Sequence, residues 1–220
     1  MPKISCLMVT VGRLELVRRA VQCFLNQTYE NKELVIVEHG TFHLREYILA
    51  MNDERIRYES AQREDITLGE LRNRSIELAR GELIAPWDDD DWYHPSRLAV
   101  QFACLMRSGA DVCMLSRETF VWPDRELYVY SNHRLWKHSS LARKTAFALY
   151  PALKGGEDTE QIISTIRDGA RLCMINAPDL YIYTVHGSNF SDMWMLEGTF
   201  GQATAPLTAK QRRVAEGRLK

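Results

Sequence analysis

The feature that most constrains this chain is an alternation of strand and helix patterns that ends in four consecutive carboxylates. Residues 4–10 are a short apolar run ending at Val11-Gly12, the pattern of a buried strand. Leu14, Val17, Val21 and Phe24 then recur at helical spacing. Residues 33–37 predict a second strand, 44–51 a helix and 56–59 a third strand. Leu68, Leu71, Ser75, Leu78 and Ala79 mark another helix face, with Gly81 expected as its C-terminal cap. Residues 83–87 predict a fourth strand, which runs straight into Asp88-Asp89-Asp90-Asp91. Repeated strand–helix units imply an α/β fold, a mainly parallel sheet flanked by helices.

The second half is less regular. A helix is expected over 95–107, with Pro95 near its start. Short strands are expected at 112–115, 120–122 and 128–130, and again at 172–175 and 181–185. A helix over 159–167 would be opened by Asp158. The stretch after Ser191, rich in Gly, Ala and Thr, reads as a mobile lid or as disorder. The basic tail over 210–220 reads as a solvated, frayed end.

At 220 residues the chain favours one domain, 1–191, with a C-terminal extension over 192–220. A net charge of −1 gives no general pull toward nucleic acid or an anionic membrane. The five cysteines, Cys6, Cys23, Cys104, Cys113 and Cys173, have no metal-ligand spacing. They are expected as buried free thiols, which suits a reducing cytosol. No signal layout and no transmembrane segment is visible, so a cytoplasmic location is expected, with peripheral attachment to the inner membrane surface left open.

The aspartates follow a predicted inner strand, which puts them at the carboxyl edge of the sheet, where open α/β folds bind ligands. Four adjacent carboxylates repel one another and resist burial unless a cation joins them. A hard divalent ion with oxygen ligands resolves this and would also grip a diphosphate. A solvated acidic turn is the competing reading. Gly155-Gly156-Glu157-Asp158 offers two carboxylates at a helix start, where one could act as a general base. Asp158 with Gln161 also makes a capping box, the stronger reading of that segment taken alone. His186 opens a polar loop of small residues suited to phosphate or metal, although a lone histidine is more often structural.

Together these elements resemble family 2 of the inverting glycosyltransferases, which have the GT-A fold. The likeness covers residues 3 to about 191. It rests on Ile4 to Thr10 with Arg13, on Val21 to Tyr29, on Glu33 to Val37, and on Leu71-Arg72-Asn73 leading through Ala79 to Glu82 into the aspartates. Asp88-Asp89-Asp90 stands at the DxD metal motif, Glu157-Asp158 at the acidic pair that carries the base, and His186 at a C-terminal histidine. His39 departs from the pattern, standing where the family has a second acid after Glu38.

The resemblance implies a metal-dependent transfer of sugar, with inversion, from a nucleotide-sugar to an acceptor hydroxyl. It implies a UDP-sugar donor and Mn²⁺ or Mg²⁺ as cofactor. Thr10, Gly12, Arg13, Glu38, Arg72, Asp88 and Asp89 would bind the donor, with Glu38 accepting from the uracil edge. Asp90, Asp88 and His186 would hold the metal, and Asp158, or failing it Glu157, would be the base. The acceptor stays open among glycan, lipid-linked sugar, protein, metabolite and modified nucleic acid. A sugar nucleotidyltransferase would need a glycine-rich loop after the first strand, and Val11-Gly12-Arg13 is poor in glycine. A phosphatase with an aspartyl nucleophile would place its acids after the first strand, and no P-loop is present. A non-catalytic nucleotide-sugar-binding module is the remaining alternative.

Overall fold

A computed structural model describes residues 1–40, 44–187, 189, 197–198 and 205–219. The predicted alternation is realised. Strand β1 (Ile4–Thr10), helix α1 (Leu14–Leu25), β2 (Lys32–His39), α2 (Leu44–Met51), β3 (Ile56–Ala61), α3 (Leu68–Leu78) and β4 (Leu83–Pro86) follow in turn. Then come β5 (Trp92–Tyr93), α4 (Arg97–Ser108), β6 (Val112–Leu115), β7 (Thr119–Trp122), β8 (Leu127–Tyr130) and β9 (Trp136–Arg143). Helix α5 (Glu157–Arg167), β10 (Leu172–Ile175), β11 (Tyr181–Thr184) and α6 (Ala209–Leu219) complete the described elements.

A seven-stranded sheet has the order β10-β6-β9-β4-β1-β2-β3, and a four-stranded sheet the order β5-β11-β7-β8. In the large sheet β1, β2, β3 and β4 pair in parallel, as do β6 and β10. Only β9 is antiparallel, between β4 and β6. Helices cover both faces, so β1 and β2 are apolar runs buried nearly throughout. On one face Val17, Ala20, Val21 and Phe24 of α1 join Ile4, Cys6, Met8, Leu34 and Ile36. On the other Leu7 and Val35 join Ile76 of α3 and Ile162 of α5.

Four expectations need correction. Gly81 does not cap α3, which ends at Ala79 in an extended conformation. Gly81 is needed for close approach instead: a Cβ there would sit 2.6 Å from Ser5 Oγ and 2.7 Å from the Lys3 carbonyl. Strand β9 lies where no strand was expected. Its polar run Lys137-His138-Ser139-Ser140 lacks alternation, yet the Ser139 hydroxyl accepts from the Leu115 amide and donates to the Trp136 carbonyl, satisfying itself inside the sheet. The basic tail is not frayed: α6 packs Ala215 with Val121 and Ile182 of the small sheet, and Arg218 lies over the Trp92 ring. Cys104 and Cys173 are half-buried rather than enclosed. The lid or disordered stretch expected after Ser191 falls largely outside the described residues. Among the described residues, no helix is long and apolar enough to cross a membrane.

Candidate active site

The aspartates leave the end of β4 and are anchored from below. Trp87 is fully buried, donates from its indole to the Ala20 carbonyl and stacks on Tyr93 at 3.9 Å. Beneath them Arg97 is buried, with no carboxylate partner among the described residues. Its guanidinium donates to the Pro86 carbonyl and to Gln101 and lies against the rings of Trp87, Tyr93 and Tyr181. A cation held by ring faces and a carbonyl fixes the strand end without neutralising the acids above it.

The four carboxylates then divide by alternation. Asp89 and Asp91 are buried and tied to the scaffold. Asp89 accepts from the Thr10 hydroxyl and pairs with Arg13, and Thr10 in turn accepts from the amide of Gly12, whose φ of 82° makes the turn. Asp91 accepts from the Tyr181 hydroxyl at 2.6 Å and the Thr184 amide at 2.9 Å. All four border a cleft of about 500 Å³, but only Asp88 and Asp90 keep side-chain surface open to it, 24% and 13%. Asp90 meets Arg13 at 2.9 Å and His186 Nε2 at 3.1 Å, and Arg72 approaches Asp88 at 3.4 Å. The loop carrying His186 is braced by Asn189, which accepts from the His186 amide and donates to the Thr184 carbonyl. The Asp90 carbonyl also accepts from Arg19, whose other nitrogen reaches the Leu219 carbonyl of α6.

The charges respond as crowded acids should. Burial, then the Asp90 charge, pushes the Asp89 carboxyl above its usual range, against Arg13 and Thr10. Burial pushes Asp91 well up, and Asp90 and Asp88 add to it. Asp90 itself is held low: burial opposes its charge, but the His186 bond and Arg13 outweigh it. The Asp88 and Asp90 carboxylates offer the hard oxygen donors that Mg²⁺ or Mn²⁺ takes, and the His186 imidazole lies beside Asp90.

The second acidic pair faces the same cleft. Helix α5 starts two residues earlier than expected, because Gly156 at φ 75° makes its left-handed entrance turn. Asp158 therefore lies inside the first turn and is not the N-cap, and Gln161 donates to the Ala148 carbonyl and Thr165 instead of closing a capping box. Glu157 is buried against Arg72 at 3.0 Å, while the Asp158 side chain keeps 32% exposure, 3.4 Å from Lys137 Nζ. Burial opposes ionisation of Asp158, but Lys137, His138 and Arg72 together hold its carboxyl below the usual range. Arg72 thus bridges Asp88 of one acidic motif and Glu157 of the other. The loop before α5 is seated on α3 at Gly69, where the amide donates to the Leu153 carbonyl and a Cβ would collide with the Pro151 carbonyl.

Glu38 stands apart from the other candidates. It is fully buried beside Thr10, its register partner, and is not among the residues lining the cleft, whereas His39 is. One carboxylate oxygen accepts from Tyr58 at 2.5 Å, and the other has no hydrogen-bond partner among the described residues. Sequence reasoning missed Lys137 and His138, both on the unexpected strand β9. His138 lines the cleft and pairs with the wholly buried Glu118 at 2.8 Å. Burial disfavours the His138 cation, but Glu118 outweighs that, and its pKa is raised. In the sequence the pair lies in the polar runs Ser116-Arg117-Glu118-Thr119 and Lys137-His138-Ser139-Ser140, which carry no signal of a buried partner.

With this geometry in view, comparison with known proteins is informative. Among curated proteins, the chain is 41% identical over 107 residues to a putative colanic acid biosynthesis glycosyl transferase, WcaA, of Escherichia coli K12, covering 46% of this chain and 37% of that protein. It is 34% identical over 98 residues to a putative glycosyltransferase, EpsH, of Bacillus subtilis 168, covering 43% and 28%. The match therefore spans only about a third of these relatives' length. Among solved structures, TarS 1–349 of S. aureus in complex with UDP superposes with a TM-score of 0.70 at 16% identity, covering 99% of this chain and 69% of that one. The mannosyltransferase PcManGT of Pyrobaculum calidifontis, in complex with GDP-Man and Mn²⁺, gives 0.65 at 15% identity, covering 99% and 70%. These likenesses show the GT-A fold. The profile of glycosyl transferase family 2 matches residues 5–164, and the chain belongs to that family.

Proposed function

We propose that this domain transfers a sugar from a nucleotide-sugar to an acceptor hydroxyl with inversion, using Mn²⁺ or Mg²⁺. The observation that carries this reading is the facing of two unlike acidic sites across one cleft, joined by Arg72. Asp88, Asp90 and His186 are the groups to hold the cation, which would stabilise the departing diphosphate. Arg13 and Thr10 set the position of Asp89 and so of the whole aspartate turn. Asp158, kept ionised by its cationic neighbours, accepts the acceptor's proton as its oxygen attacks the anomeric carbon and the bond to the diphosphate breaks.

The donor we propose is a UDP-sugar. TarS structures with UDP and with UDP-GlcNAc support this, and the GDP-Man complex of PcManGT makes GDP-sugars the competitor to test. The Glu38 oxygen that has no hydrogen-bond partner among the described residues would supply a buried acceptor for a base N–H at the end of β2. Residues 1–191 would form the transferase domain and 192–220 its extension. Free thiols fit work in the cytoplasm or at the inner face of a membrane. The acceptor, whether glycan, lipid-linked sugar, protein, metabolite or modified nucleic acid, is to be found by profiling. The experiment is donor hydrolysis across UDP- and GDP-sugars with and without Mn²⁺. Metal-dependent turnover of one donor supports the reading, and binding without turnover of any donor or acceptor would leave a binding module.

A further inference from the structure

Cys104, Cys113 and Cys173 are distant in sequence, and the fold gathers them. Cys113 in β6 stands opposite Cys173 in β10 in a parallel pair. Side chains at matched register on neighbouring strands leave the same face of a sheet. Helix α4 packs on that face and supplies Cys104. All three Sγ atoms lie within 4.8 Å of one another, with Cys104 and Cys173 3.7 Å apart.

A disulfide needs sulfurs about 2.0 Å apart, and these thiols are free. A tetrahedral zinc with bonds of about 2.3 Å separates its sulfur ligands by about 3.8 Å. The cluster therefore has nearly the span of three corners of such a tetrahedron. Burial raises the thiol pKa of Cys104 and of Cys113, and Cys173 raises both further, while the bond with Cys113 lowers that of Cys104. Three thiolates could not share this space without a cation. With one soft dication the group carries a single net negative charge, and Arg107, in the last turn of α4, acts on Cys104 in the sense that offsets it.

We propose that Cys104, Cys113 and Cys173 form a second, soft-metal site that binds one Zn²⁺ through three thiolates. Water completes the tetrahedron beside Cys104 and Cys173, which are half-buried. Three Zn–S bonds form as three thiol protons leave, and no electrons move. None of the three cysteines lines the cleft. The site ties α4 to β6 and β10 and selects a different class of ion from the oxygen-lined site of the aspartates.

The test is titration of the reduced, metal-free protein with Co²⁺, followed by displacement with Zn²⁺. The expected result is one equivalent of Co²⁺ with a thiolate charge-transfer band and a tetrahedral d–d spectrum, both lost on adding Zn²⁺. Cys113→Ser and Cys104→Ser should each weaken Zn²⁺ binding by about 100-fold or more. Asp90→Ala should leave the spectrum unchanged. Because Cys113 is buried, Cys104→Ser decides the matter if Cys113→Ser fails to fold. A wild-type protein without the charge-transfer band, or undiminished affinity in Cys104→Ser, overturns the proposal.

Discussion

The two acidic motifs of the cleft are built alike but compensated differently. Each sets a buried carboxylate next to a more exposed one on the same cleft: Asp89 beside Asp90, and Glu157 beside Asp158. Around the aspartates, like charges crowd together, so Asp89 and Asp91 are pushed toward protonation. Around Asp158 the neighbours are Lys137, His138 and Arg72, and its charge is favoured. Four crowded carboxylates, of which Arg13 and His186 hold only Asp90 low, are suited to receive a further cation. An anionic site already compensated is suited to remain a base.

Breaking the second site should have the largest effect. Asp158→Asn keeps the shape but cannot take a proton, and kcat is expected to fall by roughly 10²–10⁴-fold, measured with the true acceptor. Retained turnover would shift the role to Glu157. Breaking the first site should cost donor binding instead. Asp90→Ala is expected to weaken UDP binding in Mn²⁺ by about 100-fold, read by calorimetry. His186→Ala should weaken it less, because Asp88 and Asp90 remain. Asp90 is only 13% exposed and holds Arg13 and His186, so its melting temperature must be recorded alongside.

Smaller changes sharpen the contrast. Glu38→Ala should cost about 1–3 kcal/mol of donor binding if its oxygen that does not bond Tyr58 accepts from the base. Equal UDP and GDP affinity in wild type, with no loss in the mutant, would remove Glu38 from the site. Lys137→Met tests the electrostatics of Asp158. The depressed carboxyl contributes stability above its unfolded pKa, and that contribution is lost as pH falls through the folded value. Removing Lys137 should therefore raise the Asp158 pKa and move the acid limb of kcat/KM to higher pH. Because Asp158 is about a third exposed, the move should be less than about one unit. An unmoved limb would show that Lys137 does not set the base.

The first half of the fold was legible because its strands are buried on both faces and its helices carry one apolar stripe. Ile4 to Thr10 and Glu33 to Val37 read as strands without help from tertiary contacts. Strand β9 did not, since Ser139 and Ser140 look like loop residues until Ser139 is seen bonded to β6 and to its own strand. With β9 went Lys137 and His138, the neighbours that give Asp158 its charge. The helix start was misread by two residues, with Gly156 and not Asp158 as its cap, and that shift decides between a cap and a base. Position in sequence showed that the aspartates matter, but not that alternate ones turn inward, because that depends on Thr10, Arg13, Tyr181 and Thr184 arriving from elsewhere.

The division of labour between the two motifs is tested most directly by calorimetry of UDP binding, with and without Mn²⁺, on wild type, Asp90→Ala and Asp158→Asn. The account predicts Mn²⁺-dependent binding in wild type and Asp158→Asn, and its loss in Asp90→Ala with the fold intact. Loss in both variants, or equal affinity with and without Mn²⁺ in all three proteins, would contradict it.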